Sequence, residues 1–255
     1  MIDTHAHLEL PTFENDLDDV IQRARSTGVS LILCVGTTVE SSRQCLDLAE
    51  RYPAELRATA GIHPHYSDGV SAGEWDVLHE LARRDKVVAV GETGLDFHRE
   101  HSDRHTQMNS FQQHISLALD LHKPLIVHAR KADEDVIQLL ESRGHDLRGV
   151  RHCFDSSAQI AMRYVELGFH VAFGGLITRE GHKKLKRAAR KIPDQRLLLE
   201  TDSPYMIPRT GEGRRNEPAY LKNIVTTLAE LRETTPARIA EITTANAHAL
   251  FELDG

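Results

Sequence analysis

The sequence predicts a (β/α)8 barrel of the TIM type, on three observations. Eight short runs of β-branched and aliphatic residues recur along the 255-residue chain, and most are continuously apolar, as strands buried on both faces are. Their starts, at 2, 31, 57, 87, 125, 150, 170 and 197, are spaced by about 28 residues on average, one βα unit each. The intervening segments carry apolar residues at helical spacing, and parallel strands need such crossovers. No Pro/Gly/Ser-rich linker interrupts the series, so residues 1–255 are read as one domain with its chemistry on the face where the strands end.

In chain order, strand 1–4 precedes a helix with Leu17, Val20, Ile21 and Ala24 on one face, ending at Gly28. Strands 31–35 and 57–62 follow. Ser71 and Glu74 then form a capping box ahead of Trp75, Leu78 and Leu81. Strand 87–90 opens the longest unit, and 91–124 leaves room for an extended loop before the helix face of Met108, Phe111, Ile115 and Leu119. Strand 125–127 leads to a helix with Val136, Leu139 and Leu140. Strands 150–151 and 170–173 come next, then a helix with Leu185, Ala188, Ala189 and Ile192, and strand 197–199. Leu221, Ile224, Val225 and Leu228 line another helix. Thr235 and Pro236 read as the N-cap and first residue of a last helix ending near Phe251.

Composition narrows the class. With 40% hydrophobic and 27% charged residues the chain is neither disordered nor fibrous. Cys34, Cys45 and Cys153 are odd in number and form no C-x-x-C pair, against a disulfide framework or a structural zinc site. The opening residues have no basic-then-apolar signal pattern, and no apolar run approaches the ~20 residues of a membrane span, so a cytoplasmic protein with no membrane partner is expected. A net charge of −7 is the wrong sign for neutralising many phosphates of a long nucleic acid, and any such contact should be local.

The residues at or just past the predicted strand ends are His5 and His7, His63 and His65, Glu92, His128, His152 and Asp202. In a barrel these converge on one mouth. His5 and His7, two apart on a strand, project to the same face and can reach one cation. Imidazoles mixed with carboxylates suit Zn, Mn, Fe or Ni, whereas oxygen-only sites indicate Mg or Ca. The candidate ligands exceed what one tetrahedral ion needs, and a carboxylate such as Glu92 can bridge two ions ~3.5–4 Å apart. A binuclear hydrolase is the natural reading.

The segments Asp3-Thr4-His5-Ala6-His7-Leu8, Gly61-Ile62-His63-Pro64-His65, Gly91-Glu92-Thr93-Gly94-Leu95-Asp96, Pro124-Leu125-Ile126-Val127-His128-Ala129-Arg130, His152-Cys153-Phe154, Glu200-Thr201-Asp202-Ser203-Pro204-Tyr205 and Arg215-Asn216-Glu217-Pro218 together resemble the TatD family of metal-dependent deoxyribonucleases, in family order and across the chain. The resemblance implies a distorted (β/α)8 barrel of the amidohydrolase group. It implies one divalent ion at His5, His7, Glu92 and Asp202 and a second at Glu92, His128 and His152, phosphate contacts from His63, His65, Arg215 and Asn216, and 3′-to-5′ exonuclease activity, usually with Mg. The pattern departs at Asp155-Ser156, where the family usually has Ser or Thr and then Gly.

The expected chemistry is then hydrolysis at nucleic-acid 3′ ends with two divalent ions (Mg, Mn or Zn), Glu92 and Asp202 being catalytic and Asp202 orienting and deprotonating the water. No obligate protein partner is indicated. Arg214 and Arg215, in a Gly-rich loop past the last strand, are candidate phosphate contacts, whereas Lys183, Lys184, Lys186, Arg187 and Arg190 read mainly as the solvated face of a helix. An ester or amide hydrolase, for example one acting on a D-aminoacyl-tRNA linkage, is the alternative, since fold and metals do not fix the bond. Gly69-Val70-Ser71-Ala72-Gly73 matches the G-x-S-x-G pattern of a serine hydrolase, but no buried strand leads into it, and Ser71 is read as an N-cap. A barrel that only binds metal would leave both Glu92 and Asp202 unexplained.

Overall fold

The computed structural model describes residues 1–99, 101–144, 146–209, 213 and 215–253. Eight strands, β1 (Ile2–Ala6), β2 (Leu31–Val35), β3 (Leu56–Ala60), β4 (Val87–Asp96), β5 (Leu125–Arg130), β6 (Gly149–Arg151), β7 (His170–Phe173) and β8 (Leu197–Leu199), form one sheet in chain order. Every neighbouring pair is parallel. The helices between them are α1 (Leu17–Ser26), α2 (Val39–Arg51), α3 (Ala72–Ala82), α4 (Arg104–Leu121), α5 (Asp133–Glu141), α6 (Ala158–Glu166), α7 (Lys183–Lys191) and α8 (Leu221–Leu231), followed by α9 (Pro236–Phe251). All eight predicted apolar runs are strands. Ser71 caps α3 by accepting from the Glu74 amide, and Thr235 caps α9 by accepting from Arg238.

The barrel is drawn together at β1 and β8 by the chain just beyond β8. The Asp202 amide donates to the His5 carbonyl at 2.8 Å, and the His7 amide donates to Ser203 at 2.7 Å. Asp3 accepts from the Thr201 amide and hydroxyl at 2.8 and 2.6 Å, and the Thr4 hydroxyl donates to Leu199 at 2.8 Å. Backbone and side-chain bonds jointly bring the ends that carry His5 and Asp202 together.

Burial divides the apolar residues into two sets. Ile2, Leu33, Val35, Ala89, Ile126, Val150, Ala172 and Leu198 pack with Leu250, Phe251 and Leu253 at the end of α9. The larger set joins the helices to the other strand faces. Since each fully buried Leu or Phe contributes about 1.5–3 kcal/mol, α9 is a substantial stabilising element. No described helix is long and apolar enough to cross a membrane.

One expectation is corrected. The extended loop after strand four does not begin at residue 91, because β4 runs on to Asp96 and α4 starts at Arg104. Gly91 and Gly94 are strand residues where backbones crowd. At Gly94, with φ of +132°, a Cβ would overlap the His128 carbonyl of β5.

Candidate metal centre

A cleft of about 540 Å³ opens at the C-terminal ends of the strands. Two irregularities in the ladders lie beside its side chains. The β1–β2 register shifts between Asp3 and Ala6, around His5, and the β4–β5 register shifts between Val90 and Thr93, around Glu92. Such bulges re-aim side chains at barrel rims. His128 lies within β5 and His152 follows β6. Asp202 follows β8 in the left-handed region at φ 58°, a conformation held by its bonds to β1 and by the Tyr205 amide, which donates to the Asp202 carbonyl at 2.8 Å.

Glu92 stands between two groups of donors. Its Oε2 lies 3.3 Å from His5 Nε2 and 3.8 Å from His7 Nε2. Those nitrogens are 3.2 Å apart, and Asp202 Oδ1 is 3.8 and 3.6 Å from them. Its Oε1 lies 3.0 Å from His128 Nδ1 and 2.8 Å from His152 Nε2, themselves 3.3 Å apart. Tetrahedral ligands at the usual ~2.0–2.2 Å from an ion sit about 3.3–3.6 Å from one another. The first group is close to the spacing of a ligand cage, the second is drawn a few tenths of an ångström tighter, and Glu92 is common to both.

The surroundings fix orientation and charge. His7 donates through Nδ1 to the Val35 carbonyl at 3.0 Å, which leaves its Nε2 lone pair for the cage. Behind His128, Asp96 Oδ2 lies 3.3 Å from Nε2. Burial alone would raise the Glu92 carboxyl, but His152, His63 and His128 outweigh it and hold Glu92 well below the ordinary carboxylate range. Asp202 is likewise buried yet lowered, through His7 and His5. Burial opposes a charge on His152, but Glu92 and Glu200 push it up to about 10, and His7 is raised by Asp202 and Glu9 against its own burial. Protons here balance buried carboxylates, and a cation replacing them would do the same. The donor set therefore fits divalent ions.

His63 and His65 also line the cleft. His63 Nδ1 accepts from the His65 amide at 3.1 Å, so in the neutral ring that burial favours, the hydrogen sits on Nε2, 3.4 Å from Glu92 Oε1. His63 is thereby set as a donor. His65 Nε2 is 2.9 Å from Asp96 Oδ2.

The residues expected past β8 are placed differently. Arg215 pairs with Asp16 and with Glu217 at 3.1 Å, donates to the Thr12 carbonyl and stacks on Phe13 at 4.5 Å, outside the cleft lining. Asn216 is fully buried, and its amide donates to the Thr201 and Tyr205 carbonyls at 2.7 Å each, clamping the loop that carries Asp202. Arg214 lies outside the described residues. Ser71 Oγ donates to Glu74 Oε2 at 2.7 Å on the surface, away from the cleft, as a cap does. The unusual Asp155 lines the cleft with its charge already paired, 3.0 Å from Arg151 Nη2.

Three carboxylates at the centre carried no role in the sequence reading. Asp96 contacts His65 and His128. It lies four residues after Glu92 on one strand and so shares its face, a period-two signal hidden once the strand is ended at residue 90. Glu200 accepts from the Cys153 amide and lies 3.7 Å from His152 Nδ1. Glu9 Oε1 is 3.7 Å from His7 Nδ1. Glu9 and Glu200 lie two residues from His7 and Asp202 but past the ends of β1 and β8, where strand alternation no longer dictates direction.

Comparison with known proteins shows which family the chain belongs to. A family model described as "TatD related DNase" matches residues 2–252. A Bacillus subtilis protein described as an uncharacterized metal-dependent hydrolase, YabD, is 38% identical over 257 residues, with all of both chains covered. The Salmonella typhimurium 3′-5′ ssDNA/RNA exonuclease TatD is 39% identical over 259 residues, covering 99% of each. The crystal structure of YjjV, a TatD homolog from Escherichia coli K12, superposes with a TM-score of 0.93 at 33% identity, covering 99% of this chain and 98% of that one.

Proposed function

The chain belongs to the TatD family of metal-dependent hydrolases, and from that premise we propose that it is a 3′-to-5′ exonuclease that removes nucleotides from single-stranded nucleic acid with two divalent ions. The observation that carries this reading is the divided Glu92 carboxylate, one oxygen facing His5, His7 and Asp202 and the other facing His128 and His152. The relative described as a ssDNA/RNA exonuclease supports the choice of bond.

When bound, the ions supply Lewis-acid polarisation of a phosphate oxygen and lower the pKa of water toward neutrality. Asp202, kept ionised beside His5 and His7, accepts the proton of the attacking water at Oδ1. Glu92 holds the two cages in register. His63 donates from Nε2 to a non-bridging phosphate oxygen, and Asp96 fixes the rings of His65 and His128. Asn216 positions Asp202 from below without meeting the substrate.

The test strips the protein of metal, refills it with Mg, Mn or Zn, counts bound ions, and follows a 5′-labelled single strand beside Glu92→Gln. The expected result is stepwise shortening by the wild type, with at least one metal, and loss of both ions and more than about 100-fold in rate in the variant. An intact strand in protein holding two ions would defeat the phosphodiester reading and favour ester or amide bonds. Two ions retained by Glu92→Gln would defeat the shared-carboxylate reading.

A further inference from the structure

Among the described residues, the large apolar side chains left exposed are two tyrosines, Tyr66 and Tyr205, each 55% exposed. Both line the candidate metal cleft. Each ring stands against a histidine of a different part of the centre, Tyr205 at 5.9 Å from the His7 ring and Tyr66 at 6.2 Å from the His63 ring. Exposed aromatic faces cost hydration free energy, and two of them beside the centre of a protein that otherwise buries its large apolar groups point to a flat, apolar ligand. Phe97, the other aromatic near this mouth, already has Arg104 over its ring at 4.4 Å.

The same cleft is lined by Arg99, Arg130 and Arg179. Among the described residues no carboxylate lies within ion-pair distance of these three, whereas Arg151 beside them is paired with both Asp133 and Asp155. Uncompensated guanidinium groups in a protein of net charge −7 mark a place for an anion. Alternating flat apolar surfaces and negative charges are the chemistry of a single-stranded nucleic acid, for which cationic grooves and aromatic platforms are the general solution.

We propose that Tyr66 and Tyr205 form a stacking bracket for the two nucleobases flanking the scissile phosphate, with Arg99, Arg130 and Arg179 following the backbone. This rests on the nuclease reading above and extends it from the bond to the strand. Since every base has a π face, the bracket is indifferent to sequence. A base paired within a duplex is already stacked, so a blunt duplex end cannot enter without unpairing.

The test measures KM and kcat of the metal-loaded enzyme on a 5′-labelled single strand and on the same strand with its two 3′-terminal nucleotides abasic, together with binding of both strands by anisotropy. Tyr66→Ala and Tyr205→Ala should each raise KM by about fivefold or more on the normal strand, with kcat within twofold. Tyr66→Phe and Tyr205→Phe, which keep the ring, should match the wild type and control for the fold of the loops. On the abasic strand the alanine variants and the wild type should be equal. Cleavage of the normal strand with unchanged KM in both alanine variants, or a wild type that takes abasic and normal ends equally well, would overturn the bracket and leave the nuclease reading standing. Neither cleavage nor binding with any metal would overturn the nuclease reading itself, and the bracket with it.

Discussion

Lowering the pH from 7.5 to 5 should destabilise the protein through His114. This histidine of α4 is fully buried, accepts the Ile62 amide at Nε2 (2.9 Å), donates from Nδ1 to the Ser110 carbonyl (2.7 Å) and meets the Trp75 ring at 4.9 Å. Its ring must stay neutral to accept from Ile62, the residue before His63. Burial pushes it down to about 4, with His79 acting in the same direction. In the unfolded chain the group titrates near ~6.5, so between about 4 and 6.5 the unfolded state binds a proton that the native state refuses. Stability is therefore fully present above about 6.5 and lost as the pH falls toward about 4. At pH 5 the two pKa values correspond to a loss of about 2 kcal/mol.

The assay is urea unfolding of metal-stripped wild type and His114→Gln at both pH values. Glutamine keeps an acceptor for the Ile62 amide and cannot titrate. The variant should be less stable at pH 7.5 by about 1–3 kcal/mol, through a poorer hydrogen bond. It should then lose about 2 kcal/mol less than the wild type on going to pH 5. His170, also pushed down to about 4 by burial, titrates in both proteins and cancels. Equal losses in the two proteins would refute the argument.

Three further substitutions test the supports around the centre. Arg151→Met should cost about 3–5 kcal/mol by calorimetry, because it strips Asp133 and the Ala129 and His152 carbonyls of a buried partner, whereas Asp155→Ser, at an ion pair whose carboxylate is 44% exposed, should cost under about 1 kcal/mol. Comparable losses would mean that Asp155 anchors the loop. Asn216→Ala leaves the Thr201 and Tyr205 carbonyls without their donor, for about 1–3 kcal/mol, and should lower metal occupancy by freeing Asp202. Unchanged occupancy in titration calorimetry would show that the β1 contacts suffice to hold Asp202.

Much of the barrel was legible because its signal is local. Continuous apolar runs mark strands covered on both faces, as at Leu31–Val35 and His170–Phe173, and Thr235-Pro236 declares the start of α9 by its own backbone chemistry. The grouping of His5, His7, Glu92, His128, His152 and Asp202 followed from the same logic, since a parallel barrel delivers every strand end to one face. Where local signals conflicted, the sequence misled. The apolar run ends at Val90, but the strand continues to Asp96, and Gly91 and Gly94 lie where the neighbouring backbone comes too close for a Cβ.

By itself, then, the sequence determined the architecture, the histidines and the two carboxylates Glu92 and Asp202 at the mouth and, through its motifs, the family. Tertiary structure decided which oxygen of Glu92 faces which histidines, a matter of two register shifts that no residue type encodes. It also decided that Arg215 is occupied by Asp16 and Glu217, that Asn216 holds the Asp202 loop, and that Asp96, Glu200 and Glu9 stand behind the ring nitrogens. These are pairings between residues as many as 199 positions apart. A charge or an amide in a sequence announces what it can bond to, but only the packed chain fixes which partner lies within 3 Å and whether water is left to compete.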